Sequence, residues 1–323
     1  MIDSPSRQRF TMIIHLNRTF RNVALSVLAV LCSLPMARAS QVSRPATPPD
    51  WFHVYPIDAR TYAISEPNYW QQNVSYLLIG ARRALLFDTG PGLYSIYEQV
   101  QRLTSLPVIA IPSHLHFDHV GDLEEFSDVR LLDTPALRSQ VRHGLIVEPP
   151  SQYMLRTPFS YRVHGWIRDG QTIDLGARKV RLLSTPGHTA DSVSVLDERA
   201  GHLFTGDLVN RVVTLCAVPG SDVHATATSL HRLLELAPAN ALAYEAHAEA
   251  PLTHAELEQL AGGIADIAAG RHSASTLVCL GPTPMRRFTV GPFPVLLPGP
   301  RGSVQAPLGS ATETVDFDGN ACH

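Results

Sequence analysis

The 323-residue sequence contains one lysine, Lys179, and four cysteines, and it has no run of basic residues. Because a nucleic-acid-binding surface needs clustered positive charge, this shortage argues against a nucleic acid as partner. The chain has 26 basic and 29 acidic residues, and five of the basic residues fall within the first 39 positions. The rest, with 21 basic against 28 acidic residues, is net acidic. The charge balance therefore argues against polyanionic partners, and the partner we expect is a small-molecule substrate.

The amino end lacks the long apolar run of a membrane span. Its apolar stretch, residues 23–34, has about 12 residues, whereas about 20 are needed to cross a bilayer. Arginines precede this stretch, and Ala37-Arg38-Ala39 places small residues where a signal peptidase cuts. We therefore predict a signal peptide over residues 1–39, cleaved after Ala39, and a periplasmic or secreted mature chain without a membrane span. A single membrane anchor is the alternative.

Cysteine is too scarce to carry the chemistry. Cleavage would leave Cys216, Cys279 and Cys322, which lie far apart and lack the spacing of metal ligands. At most one disulfide bond can form among three cysteines, and the sequence leaves the pair open.

The remaining chain is predicted to hold one folded domain. Residues 40–50 are rich in Pro, Ser and Thr and predict a linker, and residues 298–323 predict a disordered tail. Within the folded domain, 51–297, short apolar runs bounded by turn formers predict strands at 53–55, 61–64, 74–79, 84–87, 107–112, 172–175, 180–183, 192–196, 203–205 and 242–244. Helical spacing predicts helices over 93–103, 224–236 and 253–269, and the last begins with a capping box, Thr253 and Glu256. Residues 286–297 predict an edge strand interrupted by Pro292 and Pro294, or a partner-binding patch.

One segment, Ser113-His114-Leu115-His116-Phe117-Asp118-His119, concentrates metal-ligand side chains directly after a predicted strand. Residues two apart in an extended chain face the same side, so His114 and His116 can bind one cation. Asp118 and His119, where the chain turns, can face a second position. Imidazole and carboxylate ligands without cysteine suit a catalytic Zn²⁺ site, with Fe and Mn as alternatives.

Three more ligand candidates, His188, Asp207 and His247, each follow a later β-like run. We expect two Zn²⁺ ions per chain, with their ligands divided into His114, His116 and His188 for one ion, Asp118, His119 and His247 for the other, and Asp207 shared. A hydroxide bridging such ions forms near neutral pH and attacks the carbonyl of an ester, a thioester or an amide. Asp118 would orient this hydroxide and pass a proton to the leaving group. Asp88, outside the ligand set, would hold a ligand loop through hydrogen bonds.

This set of motifs, Asp88, His114 to His119, Gly187-His188-Thr189, Asp207 and His247, resembles the signature of the metallo-β-lactamase-fold superfamily over residues 52–255. The resemblance implies an α/β (α+β) fold, namely a four-layer αββα sandwich of two mixed β-sheets flanked by helices. The unbroken His-x-His-x-Asp-His cluster and the carboxylate of Asp207 look like the glyoxalase II-like and acyl-thioesterase-like branch. A β-lactamase, a lactonase and a mononuclear iron dioxygenase of the same fold are the alternatives.

Candidate substrate contacts are fewer. Asn210, three residues beyond Asp207, is placed to donate a hydrogen bond to a substrate carbonyl, with capping of its own loop as the alternative. Aromatic residues on two segments are candidates for the walls of a substrate groove, with burial in the core as the alternative. These aromatics are Tyr69, Trp70, Tyr153, Phe159, Tyr161 and Trp166.

Overall fold

The computed structural model describes residues 46–148, 159–272, 274–280 and 283–299. The predicted signal peptide, most of the predicted linker and tail, and Tyr153 lie outside these ranges, so what was expected of them stays a prediction. No helix within the described ranges is long and apolar enough to span a bilayer.

The first of two large sheets forms from the amino-terminal strands. Its strands are β1 (His53–Asp58), β2 (Thr61–Ser65), β3 (Val74–Ile79), β4 (Ala84–Phe87) and β5 (Val108–Ile111), and they lie side by side in that order. The first three pairings are antiparallel, whereas β4 and β5 are parallel. Parallel neighbours need a crossover, which α1 (Ile96–Leu103) provides after its N-cap Ser95. The sheet is therefore mixed, as predicted.

The second large sheet repeats this plan. Its strands are β10 (Thr172–Asp174), β11 (Lys179–Ser184), β12 (Val193–Asp197), β13 (His202–Gly206) and β15 (Leu242–Glu245). Only the last pairing, β13 with β15, is parallel, and α4 (Val223–Leu236) lies between these two strands in the chain. A further helix, α5 (His254–Ala268), follows β15. Its N-cap Thr253 and Glu256 form the predicted capping box, which is thereby confirmed.

The side chains of the second sheet point alternately to two different cores. On β13, Phe204 packs with residues of the first sheet, whereas Leu203 packs with the helices α4 and α5. On β11, Leu182 and Leu183 divide in the same way. Because successive side chains of a strand point to opposite faces, the second sheet lies between the first sheet and these helices. With α1 packed on the first sheet, this arrangement confirms the predicted αββα sandwich.

Smaller elements connect the two halves. They are the helices α2 (Phe117–Val120) and α3 (Pro135–Gln140), a 3₁₀ turn (Leu123–Glu125), and the short strands β6 (Arg130–Leu132), β7 (Leu145–Glu148), β8 (Phe159–Arg162) and β9 (Gly165–Ile167). β6 pairs with β9 and β7 pairs with β8. The sequence patterns did not predict these strands.

The carboxyl-terminal part forms a third sheet, which corrects one expectation. Its strands are β14 (Thr214–Leu215), β16 (Thr276–Leu280), β17 (Thr283–Val290) and β18 (Phe293–Pro298), in the order β14-β18-β17-β16. Residues 286–297 are thus the greater part of a hairpin that turns at Gly291 and Pro292, not one interrupted edge strand. β18 is an inner strand despite Pro294, because Phe293 and Val295 are buried against α5 and hold it there.

Candidate metal centre

The candidate ligands lie where the strands of both large sheets end. β4 and β5 run parallel, so the residues that follow them, Asp88 and His114, emerge at one edge of the first sheet. β13 and β15 run parallel in the second sheet and bring Asp207 and His247 to one edge in the same way. His188 lies in the loop between β11 and β12. The sandwich therefore brings distant segments together at one end.

The first set of ligand atoms consists of three imidazole nitrogens. His114 Nε2 lies 2.7 Å from His116 Nδ1, and His188 Nε2 lies 3.0 Å from the same atom. All three atoms lie within 4.8 Å of one another, and His114 and His188 are buried. The structure thus places these three predicted ligands around one point.

The second set combines a carboxylate with two imidazoles. Asp118 Oδ2 lies 3.3 Å from His119 Nε2 and 3.7 Å from His247 Nε2. Asp118 and His119 belong to α2, where the chain turns after His116, the N-cap of this short helix. The turn brings Asp118 and His119 together with His247, although the His119 ring also lies 4.2 Å from the His114 ring.

Asp207 lies between the two sets. Its Oδ2 is 3.5 Å from His188 Nε2 in the first set, and its Oδ1 is 3.0 Å from His247 Nε2 and 3.5 Å from His119 Nε2 in the second set. The two oxygens of one carboxylate therefore face different sets, which is the placement expected of a shared ligand.

The donor atoms fit divalent cations. His119 Nε2 and Asp207 Oδ1 are buried, and neither has a hydrogen-bond partner within the described ranges. Buried polar atoms without partners are costly, and a cation would satisfy both of them. A set of histidine nitrogens and carboxylate oxygens without cysteine is typical of catalytic zinc sites.

The outer nitrogen of four ligand rings is held by a hydrogen-bond partner. His114 Nδ1 contacts Ser113 Oγ at 3.0 Å, and His119 Nδ1 contacts Asp88 Oδ2 at 3.0 Å. The remaining two rings donate from Nδ1 to backbone carbonyls, His188 to Leu215 at 3.1 Å and His247 to Gln71 at 3.0 Å. Partners of this kind fix both the ring orientation and the tautomer that leaves Nε2 free to bind a cation.

Asp88 has two such functions. Besides the contact with His119, its Oδ1 accepts a hydrogen bond from the backbone nitrogen of Ser113 at 2.5 Å. The carboxylate therefore connects the start of the His114 segment to a ring of the second set. These are the contacts expected of a residue that holds a ligand loop without binding the cation.

The protonation states of the two sets differ. Burial lowers the pKa of His114 well below its usual value and lowers that of His116 to about 4. Burial alone would also lower the pKa of His247, but Asp207 raises it to about 9, and the pKa of His119 is raised by Asp118. Because a ligand nitrogen must be unprotonated, a proton competes with a cation at the second set more than at the first.

The weaker substrate candidates have different surroundings. Asn210 Oδ1 accepts hydrogen bonds from the backbone nitrogens of Val212 and Val213, at 2.8 and 3.1 Å, and so caps its own loop. Tyr161 is 1% exposed in the main core and has almost no surface to offer a ligand. The guanidinium carbon of Arg138 lies over the ring of Trp166, 4.5 Å from the ring centre. Among the candidates within the described ranges, Trp70, 63% exposed beside Gln71, keeps a large accessible surface.

Several residues around the centre were missed at the sequence level. The side chain of Asn73 donates to Asp118, and the carbonyls of Gln71 and Leu215 hold ligand rings. A sequence does not show which backbone carbonyls will accept hydrogen bonds, and an asparagine just before a strand is typical of a turn. Cys216, next to Leu215, is a buried free thiol, whereas Cys279 is disulfide-bonded.

The chain is similar in sequence to known proteins. A sequence profile of the Metallo-beta-lactamase superfamily matches residues 68–247, more than half of the chain. Acyl-coenzyme A thioesterase MBLAC2 of Gallus gallus is 28% identical over 211 residues, which cover 58% of this chain and 76% of that protein. Probable metallo-hydrolase YqgX of Bacillus subtilis (strain 168) is 27% identical over 182 residues, which cover 54% of this chain and 83% of that protein.

A solved structure shares the fold. The metallo-beta-lactamase from Pontibacter korlensis superposes with a TM-score of 0.52 at 18% sequence identity, covering 67% of this chain and 99% of that one. At this identity the match concerns the architecture alone. The matched profile spans Asp88 and all seven candidate ligands, from His114 to His247.

Proposed function

Because the chain belongs to the metallo-β-lactamase superfamily, we propose that it is a hydrolase of acyl thioesters that uses two zinc ions. The observation that carries this proposal is the position of Asp207, one carboxylate oxygen of which faces each set of ligands. The similarity to a protein named acyl-coenzyme A thioesterase supports the substrate class. The proposed activity is the release of a free thiol and a carboxylic acid from a small acyl thioester.

In this proposal the two sets divide the cations between them. The imidazoles of the first set would hold one ion, and Asp118 with the two imidazoles of the second set would hold the other. Asp207, which has one carboxylate oxygen facing each set, would serve both. When bound, the ions polarise the acyl carbonyl and supply a nucleophile from water at neutral pH. The chain itself orients the ligand rings through Ser113, Asp88 and the two backbone carbonyls.

Asp118 is the proposed proton carrier. The reaction adds the hydroxyl group of water to the acyl carbon and breaks the carbon–sulfur bond, so the other proton of the water must pass to the departing sulfur. With Oδ2 among the ligand atoms of the second set, the other carboxylate oxygen of Asp118 would hold that proton and return it to the departing sulfur.

The test is a parallel activity screen of the purified full chain with its bound metal quantified. The substrates are a short-chain acyl-coenzyme A, S-lactoylglutathione, an acyl-homoserine lactone and nitrocefin. We expect thiol release from a thioester that stops on chelation and returns with added Zn²⁺. Turnover of nitrocefin or of the lactone without thiol release would show that the substrate is a β-lactam or a lactone and not a thioester. One iron per chain with oxygen consumption would replace the hydrolase by a dioxygenase.

We further propose that the mature protein is periplasmic or secreted, on the basis of the arginines, the apolar stretch and Ala37-Arg38-Ala39 within residues 1–39. Mass spectrometry of the exported chain should find Ser40 as the first residue. A chain that keeps residues 1–39 and stays with the membrane would favour the anchor instead.

A further inference from the structure

Asn73 lies immediately before β3, against Asp118. It is 2% exposed, and its Nδ2 donates two hydrogen bonds to that one residue, to the carboxylate Oδ2 at 3.0 Å and to the backbone oxygen at 2.9 Å. Asp118 Oδ2 is also the atom that faces His119 and His247. The amide of Asn73 thus contacts the same oxygen that the second set directs to its cation.

The orientation of the amide follows from its partners. Both atoms of Asp118 accept hydrogen bonds, so only the NH₂ group of Asn73 can face them. The other amide atom, Asn73 Oδ1, is buried without a hydrogen-bond partner in the part of the chain that the structure describes. An unsatisfied buried oxygen costs free energy. Both donors of the Asn73 amide are therefore used at the site, whereas its acceptor is not.

The backbone around Asn73 is anchored on both sides. Its carbonyl accepts from the backbone nitrogen of Glu66 at 2.8 Å, which closes the loop between β2 and β3. The next residue, Val74, donates from its backbone nitrogen to Ala246 at 2.7 Å, beside His247. The same loop supplies the Gln71 carbonyl that holds the His247 ring. Two ligands of the second set are thus held by one anchored loop.

We propose that Asn73 is a positioning residue that fixes the carboxylate of Asp118 for the second cation, an inference that rests on the two-cation centre proposed above. Two bonds from one nitrogen to the side chain and the backbone of the same aspartate restrict its side-chain torsions. A carboxylate already held in its binding orientation loses less conformational entropy when a cation binds. The first set has no contact of this kind with Asn73, so its affinity should not depend on this residue.

The test compares Asn73→Asp and Asn73→Ala in the full chain. Asn73→Asp keeps the shape of the side chain but places a carboxylate against two acceptors, whereas Asn73→Ala removes the donors. Asn68→Asp is the matched control, because Asn68 is exposed in the same loop and its amide donates to the carbonyl of Asp50 at 3.0 Å, away from the ligands.

Zn²⁺ affinity is measured for both sites by competition with a chelator, and the Co²⁺-substituted proteins are compared by absorption spectroscopy. We expect one of the two ions to bind about 10- to 100-fold more weakly in both Asn73 variants, with the larger loss in Asn73→Asp. The affinity for the other ion should change by less than about twofold. The Co²⁺ absorption spectrum of the weaker site should shift. Asn68→Asp should match the wild type.

Three results would contradict the proposal. A wild-type chain that binds no Zn²⁺ would remove the centre itself and this inference with it. If the wild type binds two ions and both Asn73 variants bind them with unchanged affinity, the positioning role of Asn73 is rejected and the two-cation centre stands. Equal weakening of both ions, accompanied by loss of the circular dichroism signal of the metal-free chain, would assign Asn73 to stability and not to positioning.

Discussion

The carboxylate of Asp88 lies 3.0 Å from the Nδ1 atom of His119, and both side chains are buried. A carboxylate at this position keeps the proton of the ring on Nδ1, so that Nε2 presents its lone pair to the centre. The contact joins a residue at the end of β4 to a ligand on α2. The second set of ligands therefore depends on Asp88, which contacts the outer nitrogen of the His119 ring and does not itself face the cation position.

Replacing Asp88 should selectively lower the affinity of the second set for its cation. We expect Asp88→Asn to lower Zn²⁺ affinity about 10- to 100-fold although it keeps the shape of the side chain, because its NH₂ group would favour the ring tautomer with the proton on Nε2. Chelator competition on the purified chain measures the affinity. Asp266→Asn, half-exposed at the end of α5, is the control. Affinities unchanged in Asp88→Asn would contradict this role.

Replacing Asp118 should separate catalysis from metal binding. We expect Asp118→Ala to lower kcat by at least about 100-fold, because both a ligand and the proposed proton carrier are lost. The first set is left intact, so at least one Zn²⁺ should remain on the chain. Metal analysis and thiol release are measured on the same sample, with Asp266→Ala as the control. Activity at the wild-type rate would refute the proposed mechanism.

Gly92 lies against the loop that follows α2. Its φ is +71°, and a Cβ atom there would lie 2.0 Å from the backbone oxygen of Gly121. Gly170 has nearly the same φ, +73°, but open space around it. Gly170→Ala should therefore lose only the conformational term, about 1–2 kcal/mol. Gly92→Ala should cost about 1–3 kcal/mol more, because the backbone must move apart.

Urea unfolding of the two glycine variants measures the difference. Equal midpoints would mean that the loop at Gly121 moves without cost. A metal titration of Gly92→Ala adds a second readout, because the displaced loop follows Asp118 and His119 directly in the chain.

Arg178 joins the two large sheets. Its Nε lies 2.6 Å from Asp197 Oδ2, and its other nitrogens donate to Thr61 Oγ1 and to the carbonyl of Arg60, both at 2.8 Å. The arginine is 10% exposed and the aspartate 2%. Removing one partner of a buried pair leaves the other charge uncompensated, so Arg178→Ala should lower the free energy of unfolding by about 3–5 kcal/mol.

The control is Arg82→Ala. Arg82 pairs with Asp174 at 3.0 Å, but both side chains are about half-exposed or more, and such pairs contribute about 0–1 kcal/mol. Chemical denaturation of both variants measures the contrast. Similar losses in the two would show that the contacts of Arg178 add nothing beyond those of a surface pair.

Glu66 should make stability depend on pH. Burial raises its pKa from 4.5 to about 8, although the indole nitrogen of Trp51 donates to Oε1 at 2.8 Å. Between these two values the folded chain keeps a proton that the unfolded chain releases. The free energy of unfolding should therefore fall as pH rises from 4.5 to 8, by up to about 1.4 kcal/mol per pH unit.

Glu66→Gln should reduce this slope, because an amide keeps the shape and has no proton to lose. The part due to Glu245, whose pKa burial also raises to about 8, should remain. Glu235→Gln, at a side chain that is 65% exposed, should keep the whole slope. Urea unfolding of the metal-free chain at pH 5, 6.5 and 8 measures the three slopes. A slope in Glu66→Gln equal to that of the wild type would exclude Glu66 as the source.

The strands of both large sheets and the last helix were predictable because their signals are local. A buried strand such as β4 is a short apolar run between turn formers, and α5 begins with a capping box. The short strands of residues 130–167 carry no such signal. The hairpin of β17 and β18 was mistaken for one strand because Pro294 argues against an inner strand, and burial against α5 outweighed that preference.

The sequence by itself determined which side chains are available as ligands, because histidines and aspartates placed directly after apolar runs lie where strands end. The parallel pairing of β4 with β5 and of β13 with β15 brings those side chains to one edge of each sheet. The tertiary structure alone decided what holds them. Asn73 is 45 residues from Asp118, and Gln71 is 176 residues from His247. Contacts over such separations follow from how the two sheets pack, and a carbonyl oxygen, which every residue has, leaves no trace of its partner in the sequence.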